Sequence, residues 1–293
     1  MTDPRLYQIA TLASLLVYGM GWLDFEVSAA RVTLLLLTVL ATQAVCDRVT
    51  GAAVNAKSAL ISGLSLCLLL RTNRIELAVL AAVIAIGAKF VIRFRGKHLF
   101  NPTNGGLVAM LLLTDQVWVS PGQWGSVAFF AFLMACVGGL VVNRAARADV
   151  TYAFIVFYAA LMVGRSIYLG EPLAIPFHRL ESGALLFGRS MYLGEPLAIP
   201  LHRIESGGLL LFTFFMISDP KTTPNSRAGR VLFAGLVAFG AWYVQFRLFR
   251  TNGLLWSLAA WSIAVPAIDW LVPGRRYSWS APAATASPAK LAA

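Results

Sequence analysis

Long apolar runs with very few charges constrain this chain more than any other feature. Ten of them follow one another, at approximately 6–23, 28–46, 57–70, 75–93, 103–114, 123–142, 150–166, 206–218, 230–247 and 253–272. A helix needs about 20 mostly apolar residues to cross a bilayer, whereas the strands of a membrane β-barrel alternate in polarity over about ten residues. The runs therefore predict an all-α, polytopic integral membrane protein with about ten transmembrane helices.

Composition excludes the main alternatives to a membrane fold. Hydrophobic residues make up 58% of the 293 residues and charged residues only 13%, against about 45–50% and about 25% in soluble domains. A compact soluble domain cannot bury such an excess, because its surface must still be covered by polar groups. The same numbers exclude a disordered chain, and three cysteines are too few for a disulfide scaffold.

The net charge of +11 predicts orientation rather than a nucleic-acid partner. Lysine and arginine lie mostly in short loops, and no soluble basic module is present to bind nucleic acid. With ten spans, the side that holds both termini carries fifteen Lys and Arg residues and the opposite side nine. The positive-inside rule then places both termini in the cytoplasm. We expect a multi-pass protein of the bacterial inner (plasma) membrane.

The domain organisation predicted is one membrane domain, residues 1–277, and a disordered cytoplasmic tail, residues 278–293, rich in Ala, Ser and Pro. Inside the domain, Gly164–Phe187 is repeated without a gap as Gly188–Leu211, with 19 of 24 positions identical. Two copies cannot form a solenoid. The extra copy lacks an apolar run long enough to span, so we expect it outside the bilayer or at its surface, on the non-cytoplasmic side.

Three of the runs (57–70, 103–114 and 206–218) are short, and short glycine-flanked segments often mark broken helices at a binding site. The second of these short runs opens with Asn101, Pro102, Thr103 and Asn104. Asparagine is a good helix N-cap and proline suits the first helical position. The free backbone donors there, with the neighbouring polar side chains, suit an anion or a polar ring edge. Helix capping alone is the alternative.

A second polar motif ends the third short run. Asp219 and Pro220 break the helix, and Lys221, Thr222 and Thr223 place a cation and two hydroxyls at the membrane boundary. A simple stop and turn is the alternative here.

The two motifs echo each other weakly. Gly105-Gly106-Leu107 leads through an apolar stretch to Thr114-Asp115, and Gly207-Gly208-Leu209 leads through another to Ser218-Asp219. The echo favours two related halves with a ligand between them.

Other reactive residues predict no catalytic or metal site. The cysteines are not clustered, and the three histidines are interpreted as surface residues. Lys89 and Asp269 are the best intramembrane ionisable candidates, but Lys89 could snorkel from a span end and Asp269 could lie at the interface.

The segments Phe100–Thr114 and Ser206–Phe233 resemble the RnfD/NqrB family, through the Phe-Asn-Pro helix start and the phrase F-F-M-x-x-D-P-x-T-x-P followed by Gly-Arg. The resemblance covers roughly the second to the tenth run, and it is strongest to the shorter branch often labelled UnbU-like. It implies an integral membrane subunit of an ion-pumping electron-transport complex. Its implied partners are other membrane and redox subunits and the lipid bilayer, with no nucleic acid.

The resemblance also implies a flavin, because family members carry FMN joined through its phosphate to a threonine of an S-G-A-T motif. This chain has no S-G-A-T, and its nearest counterparts, Ser182-Gly183-Ala184 and Ser206-Gly207-Gly208, are each followed by leucine. Leucine cannot form the phosphoester, so we predict that covalent FMN is absent. We expect instead FMN or riboflavin bound noncovalently between the two motifs, by Asn101, Pro102, Thr103, Asn104, Asp219, Pro220, Thr222 and Thr223.

Three functions are compatible with this sequence. The first is a membrane subunit of an Rnf/Nqr-type electron-transport complex that holds the flavin or shapes an ion path, and that is not catalytic alone. The second is a redox-inactive transporter or resistance protein on the same fold, favoured by the missing threonine. The third is a scaffold subunit without a ligand.

Overall fold

Helices dominate the computed structural model, which describes residues 3–22, 25, 27–120, 128–169 and 207–277. Seven helices precede residue 170: α1 Pro4–Trp22, α2 Ala29–Thr50, α3 Ala56–Leu69, α4 Ile75–Val91, α5 Pro102–Leu113, α6 Ala128–Arg144 and α7 Ala148–Leu169. After residue 206 come α8 Gly207–Leu211, a π-helical turn Phe212–Met216, α9 Arg227–Phe246, α10 Gly253–Ser262 and α11 Val265–Leu271. Every predicted apolar run coincides with a helix or a pair of helices, and the all-α architecture is confirmed.

Helix length and hydropathy distinguish the helices that could cross a membrane from the shorter apolar helices. In the described residues, α2, the first part of α7 (Ala148–Arg165) and α9 are long and apolar enough to cross a membrane. A fourth span results if α10 and α11, which are bent by 52°, are counted together. The apolar helices α3 and α5 are short, as predicted. The total of ten spans stays a prediction.

Two short antiparallel strand pairs flank α5, one at each end. Strand β1 (Leu70–Thr72) pairs with β4 (Val117–Val119), just after α3 and α5 end. Strands β2 (Arg93–Phe94) and β3 (Lys97–His98) form a hairpin that leads into α5. Its turn is Arg95-Gly96, with φ of 48° and 75°. Two successive positive φ angles are typical of a tight hairpin turn, and glycine accepts the second without strain.

The start of α5 has the predicted cap. The Asn101 Oδ1 atom accepts a hydrogen bond from the Asn104 backbone N–H at 3.1 Å, and Pro102 occupies the first helical position. The same type of cap begins α2, α3 and α9, where the side chains of Ser28, Asn55 and Ser226 each accept from a backbone N–H three residues later. The capping function of Asn101 is therefore confirmed, and its use in ligand binding is a separate question.

Close packing of α4 against α5 depends on one glycine, Gly106. A Cβ atom placed there would lie 2.7 Å from the Ala85 Cβ and 3.1 Å from the Ala85 Cα. Small residues at a membrane helix crossing allow backbones to approach in this way.

The first prediction follows from this contact. Gly106→Ala should lower the free energy of unfolding by about 1–3 kcal/mol, because backbone atoms must shift to admit the methyl group. Gly87→Ala on α4 is the matched control: a Cβ there meets nothing within 4 Å, so stability should stay the same or rise by up to about 1 kcal/mol. Denaturation in mixed detergent micelles measures both, and equal effects would contradict the packing described.

Charged residues gather near both ends of α5. At one end Arg5 and Lys57 bind Asp3, and Lys97 binds Asp269. At the other end the Arg31 guanidinium donates to the Thr72 carbonyl and Arg74 donates to Gln116. Which end faces the cytoplasm stays a prediction. The tail 278–293, the centre of the duplication (170–206), His178 and His202 lie outside the described residues.

Candidate functional site

A polar cavity of about 270 Å³ opens at the end of the molecule that carries Arg5 and Lys97. Its walls come from α1–α6, the β2–β3 hairpin and the segment around Asp219. The volume is close to the lower end of the usual range for ligand pockets, about 300–1000 Å³. Its charged and polar lining residues include Arg5, Gln43, Asp47, Asn55, Ser58, Ser62, Lys89, Arg93, Lys97, His98, Asn101, Thr103, Ser218, Asp219, Lys221 and Arg276.

The two motifs singled out in the sequence meet at this cavity. The Asn101 Nδ2 group donates to the Asp219 Oδ2 atom at 3.3 Å and to the Met216 carbonyl oxygen at 3.4 Å. Asn101, Pro102, Thr103, Asp219 and Pro220 all line the cavity. Residues 118 positions apart are thus joined by one hydrogen bond, as a site between the two motifs requires.

Thr222 and Thr223 serve the turn rather than the cavity wall. Both hydroxyls donate to the Asp219 carbonyl oxygen, at 3.3 Å and 3.1 Å. The Thr223 hydroxyl also accepts from Arg147, and its carbonyl accepts from Lys97. Neither threonine lines the cavity. Both hydroxyls stabilise the turn that follows the end of the helix. The geometry therefore favours a structural role for them over the predicted contact with a ligand.

Asn104 is the most unusual polar residue near the site. Its side chain is fully buried, and neither Oδ1 nor Nδ2 has a hydrogen-bond partner in the part of the chain that the structure describes. The neighbouring Thr103 hydroxyl, by contrast, donates to the Ser62 carbonyl at 3.4 Å. Leaving an amide unpartnered away from water costs roughly 1–3 kcal/mol. Such a group is retained where something else completes it.

A buried polar chain that sequence reasoning missed lines another wall. The Lys89 ammonium donates to Gln43 Oε1 at 2.7 Å and to Ser58 Oγ at 3.0 Å. Gln43 Nε2 in turn donates to Asp47 Oδ1 at 2.9 Å, and Asp47 Oδ2 accepts from the Asn55 backbone N–H at 3.1 Å. The chain links α4 to α2 and to the start of α3. Lys89 is only 8% exposed, so the interpretation that it snorkels to the surface is wrong.

A sequence signal for this chain was available. Gln43 and Asp47 are spaced four residues apart in the apolar helix α2, and they therefore share one face. Two polar residues on one face of a membrane helix need partners inside the protein. Lys89, the basic residue of another apolar run, was the candidate partner.

His98 also differs from its interpretation as a surface residue. It is partly buried and lines the cavity. Burial lowers the pKa of His98 to about 4, and the cations Lys89, Arg93 and Lys221 lower it further while Asp219 opposes them. The imidazole is therefore neutral at pH 7 and offers one donor and one acceptor to the cavity.

Asp269 is held in a structural contact and lies outside the cavity. Its carboxylate accepts from the Asn225 backbone N–H at 2.7 Å, from the Asn225 amide at 2.9 Å and from the Lys97 ammonium at 3.2 Å. These bonds tie α11 to the β2–β3 hairpin and to the loop before α9. The boundary position expected for Asp269 agrees with this arrangement.

The two aspartates of the echoing segments, Asp115 and Asp219, lie far apart in the structure. Asp115 follows the last turn of α5, is exposed and does not line the cavity, whereas Asp219 lies beside the first turn of that helix. The aspartate of the second segment therefore lies at the opposite end of α5 from the aspartate of the first.

Metal binding has no support in the part of the chain that the structure describes. No group of three His, Cys, Asp or Glu side chains there could hold an ion, and Cys46, Cys67 and Cys136 are free thiols. What the cavity offers is a set of hydrogen-bond donors and acceptors, aromatic side chains from Phe90, Phe214 and Phe215, and an excess of cations. These features suit an aromatic ligand with polar edges.

Comparison with known proteins supplies the family. No curated protein matches the chain. A family model described as NQR2, RnfD, RnfE family matches residues 4–278, which includes every helix of the structure and both motifs of the cavity. The chain therefore belongs to the NQR2, RnfD, RnfE family, whose members are membrane subunits of Nqr/Rnf-type complexes.

Proposed function

We propose that this protein is the flavin-holding membrane subunit of an Nqr/Rnf-type electron-transport complex, with the flavin bound noncovalently in the cavity that Asn101 and Asp219 line. The observation that carries the proposal is the Asn104 side chain, which follows the cavity-lining residues Asn101, Pro102 and Thr103, is fully buried, and has both polar atoms unpartnered among the described residues. An asparagine amide presents one acceptor and two donors side by side. The pyrimidine edge of an isoalloxazine ring presents the complementary carbonyl oxygens and N–H group.

The rest of the cavity fits a planar aromatic ligand of this kind. Phe90, Phe214 and Phe215 supply apolar walls, and aromatic rings favour stacked or edge-on contact with a flat π-system. The Asn101 amide is held in one orientation by Asp219 and by the Met216 carbonyl. Its position is thus set before a ligand arrives, which reduces the entropic cost of binding.

A bound flavin supplies one- and two-electron transfer, and the chain supplies binding and orientation. Asn101 and Asn104 are the residues proposed to orient the ring, and the phenylalanines exclude water from it. The absence of S-G-A-T from the sequence supports a noncovalent attachment.

An ion path is a second part of the proposal. The hydrogen-bonded chain from Lys89 through Gln43 to Asp47 runs along the cavity wall and links α4 to α2, and ionisable groups inside a membrane protein commonly mark ion paths. The same chain would suit the alternative function, a transporter without redox activity. Transport in vesicles without any redox partner would favour that alternative.

The second prediction tests the flavin site through Asn104. Asn104→Leu should weaken riboflavin binding by about tenfold or more, because one buried hydrogen-bonded pair contributes about 1.4 kcal/mol or more. The unliganded variant should be as stable as the parent chain, since leucine removes an unpartnered polar group and keeps the volume. Quenching of riboflavin fluorescence measures the affinity. Asn143→Leu, at an exposed position on α6, should leave it unchanged. Equal affinity in both variants would refute the assignment of Asn104.

A further inference from the structure

We propose that an open apolar groove between α7 and α9 binds one anionic phospholipid, with an acyl chain along the groove and the headgroup phosphate on Arg227. The groove has a volume of about 970 Å³, and it shares no lining residue with the polar cavity. The proposal therefore does not depend on the flavin site.

The groove follows two helices that run side by side in the same direction. Near the start of both, the Arg230 guanidinium donates to the Asp149 carboxylate at 2.9 Å. Near their far ends, the Arg165 guanidinium lies over the Phe246 ring, 4.5 Å from its centre. The first part of α7 and the whole of α9 are each long and apolar enough to cross a membrane. A groove between them therefore runs from the membrane boundary towards the bilayer interior.

The lining of the groove combines one cation with an apolar surface. Of the nine described residues that line it, only Arg227 is polar. Gly235 forms part of the floor, because a Cβ atom there would lie 3.3 Å from the Phe157 ring. Leu232 and Phe239 belong to the walls, and about half of each side chain is exposed (48% and 49%). A charged headgroup followed by an acyl chain has the same order of polarity.

The length of the groove fits one leaflet of a bilayer. Arg227 is the first residue of α9, and Phe239 lies in the second half of that helix. With a rise of 1.5 Å per residue, the two positions are about 18 Å apart along the helix axis. One leaflet supplies half of a hydrocarbon core that is about 30 Å thick. An acyl chain whose headgroup lies at Arg227 would thus follow the whole groove within its own leaflet.

Arg227 has no counter-ion in the described part of the chain. It is exposed and forms no ion pair with any carboxylate there, whereas Arg230, one turn later, is paired with Asp149. The positive end of the α9 dipole lies at the same place. A lipid phosphate would accept charge-assisted hydrogen bonds from the guanidinium. Basic pockets between membrane helices bind anionic headgroups in this way.

The experiment measures lipid retention by native mass spectrometry of the full chain, with phosphatidylglycerol and phosphatidylcholine added in equal amounts. One phosphatidylglycerol should remain bound per chain, with a preference of about tenfold or more over phosphatidylcholine, and raised salt should reduce this preference. Arg227→Gln should abolish the preference. Arg48→Gln is the matched control and should keep it, because Arg48 is also exposed, lies in the last turn of α2 and does not line the groove.

A second variant tests the apolar part of the site. Ala228 is exposed and lines the groove beside Arg227. In Ala228→Trp the indole should occupy the space of the acyl chain, and retention of both lipids should fall by about tenfold or more although the cation remains. The thermal stability of this variant in detergent without added lipid should equal that of the parent chain, because the substituted side chain lies at the surface.

Three outcomes would overturn the proposal. The first is a parent chain that retains neither lipid, or both equally. The second is an equal loss of preference in Arg227→Gln and Arg48→Gln, which would show general attraction to a basic surface. The third is a dimer of the parent chain that Ala228→Trp converts to monomers, which would show that a second copy fills the groove. The flavin proposal would stand in each case, because the two sites share no lining residue.

Discussion

Replacing Lys89 with methionine should lower the free energy of unfolding by about 3 kcal/mol, the largest loss of stability that we expect from a single substitution in this protein. The ammonium is buried and hydrogen-bonded to Gln43 and Ser58. Methionine fills a similar volume but leaves both acceptors unpaired. It also removes the positive charge nearest to the buried Asp47 carboxylate along the chain Lys89–Gln43–Asp47. Denaturation of the purified protein in mixed micelles measures the loss.

A double-mutant cycle separates the charge from the lost contacts. Adding Asp47→Asn to Lys89→Met should recover about half of the loss, because the uncompensated carboxylate disappears. Lys57→Met is the control, since its side chain is 45% exposed and its ion pair with Asp3 lies at the surface; it should cost less than about 1 kcal/mol. Strictly additive effects of the two substitutions would show that Lys89 and Asp47 do not interact.

Substitution of Asp219 by asparagine should weaken flavin binding by about tenfold or more while the protein stays folded. The Asp219 carboxylate accepts from the Asn101 amide and from the Lys221 backbone N–H. An asparagine keeps only one acceptor atom. Either Lys221 loses its partner or the Asn101 amide faces another amide N–H₂ group, and in both cases the site loses its fixed orientation.

Asp115→Asn is the matched control for Asp219→Asn. Asp115 occupies the echoing position in the other half, but it is exposed and outside the cavity. Riboflavin titration by fluorescence quenching should therefore give the parent affinity for Asp115→Asn. An equal loss in both variants would mean that Asp219 acts through general charge rather than through the orientation of Asn101.

The helices were predictable from the sequence because their signals are local. Continuous apolar runs set the lengths of α2 and α9, and the Asn101-Pro102 pair marks the start of α5. The broken helix after Gly207 was also visible, since the run is short and ends at Asp219-Pro220. These signals depend on residues within one or two turns of each other, and they hold whatever the tertiary structure is.

The missed part of the site depends on tertiary contacts. Lys89 and Gln43 are 46 residues apart. The presence of a lysine or a glutamine in a helix does not indicate which residue of another helix it will contact. The same reason explains the error at His98: Arg95 and Lys97 precede it in the sequence, and its burial comes from the other elements around the cavity. The hydrogen bonds by which Thr222 and Thr223 close the turn at Asp219 were not predictable either, because a hydroxyl that closes a turn looks the same in sequence as one that binds a ligand.

The contact between the two motifs was predictable only in part. The echo of Gly-Gly-Leu and Asp favoured a site between two related segments, and the hydrogen bond from Asn101 to Asp219 joins the two motifs. The placing of the two aspartates at opposite ends of α5 was not predictable from the echo.

The measurement that tests the central claim most directly is the flavin content of the protein purified from cells supplied with riboflavin. The purified chain is precipitated with acid, and the supernatant and pellet are each analysed by chromatography with fluorescence detection. We expect close to one flavin per chain in the supernatant and none attached to the pellet. A protein that carries no flavin in either fraction, or one whose flavin stays in the pellet, would contradict the account.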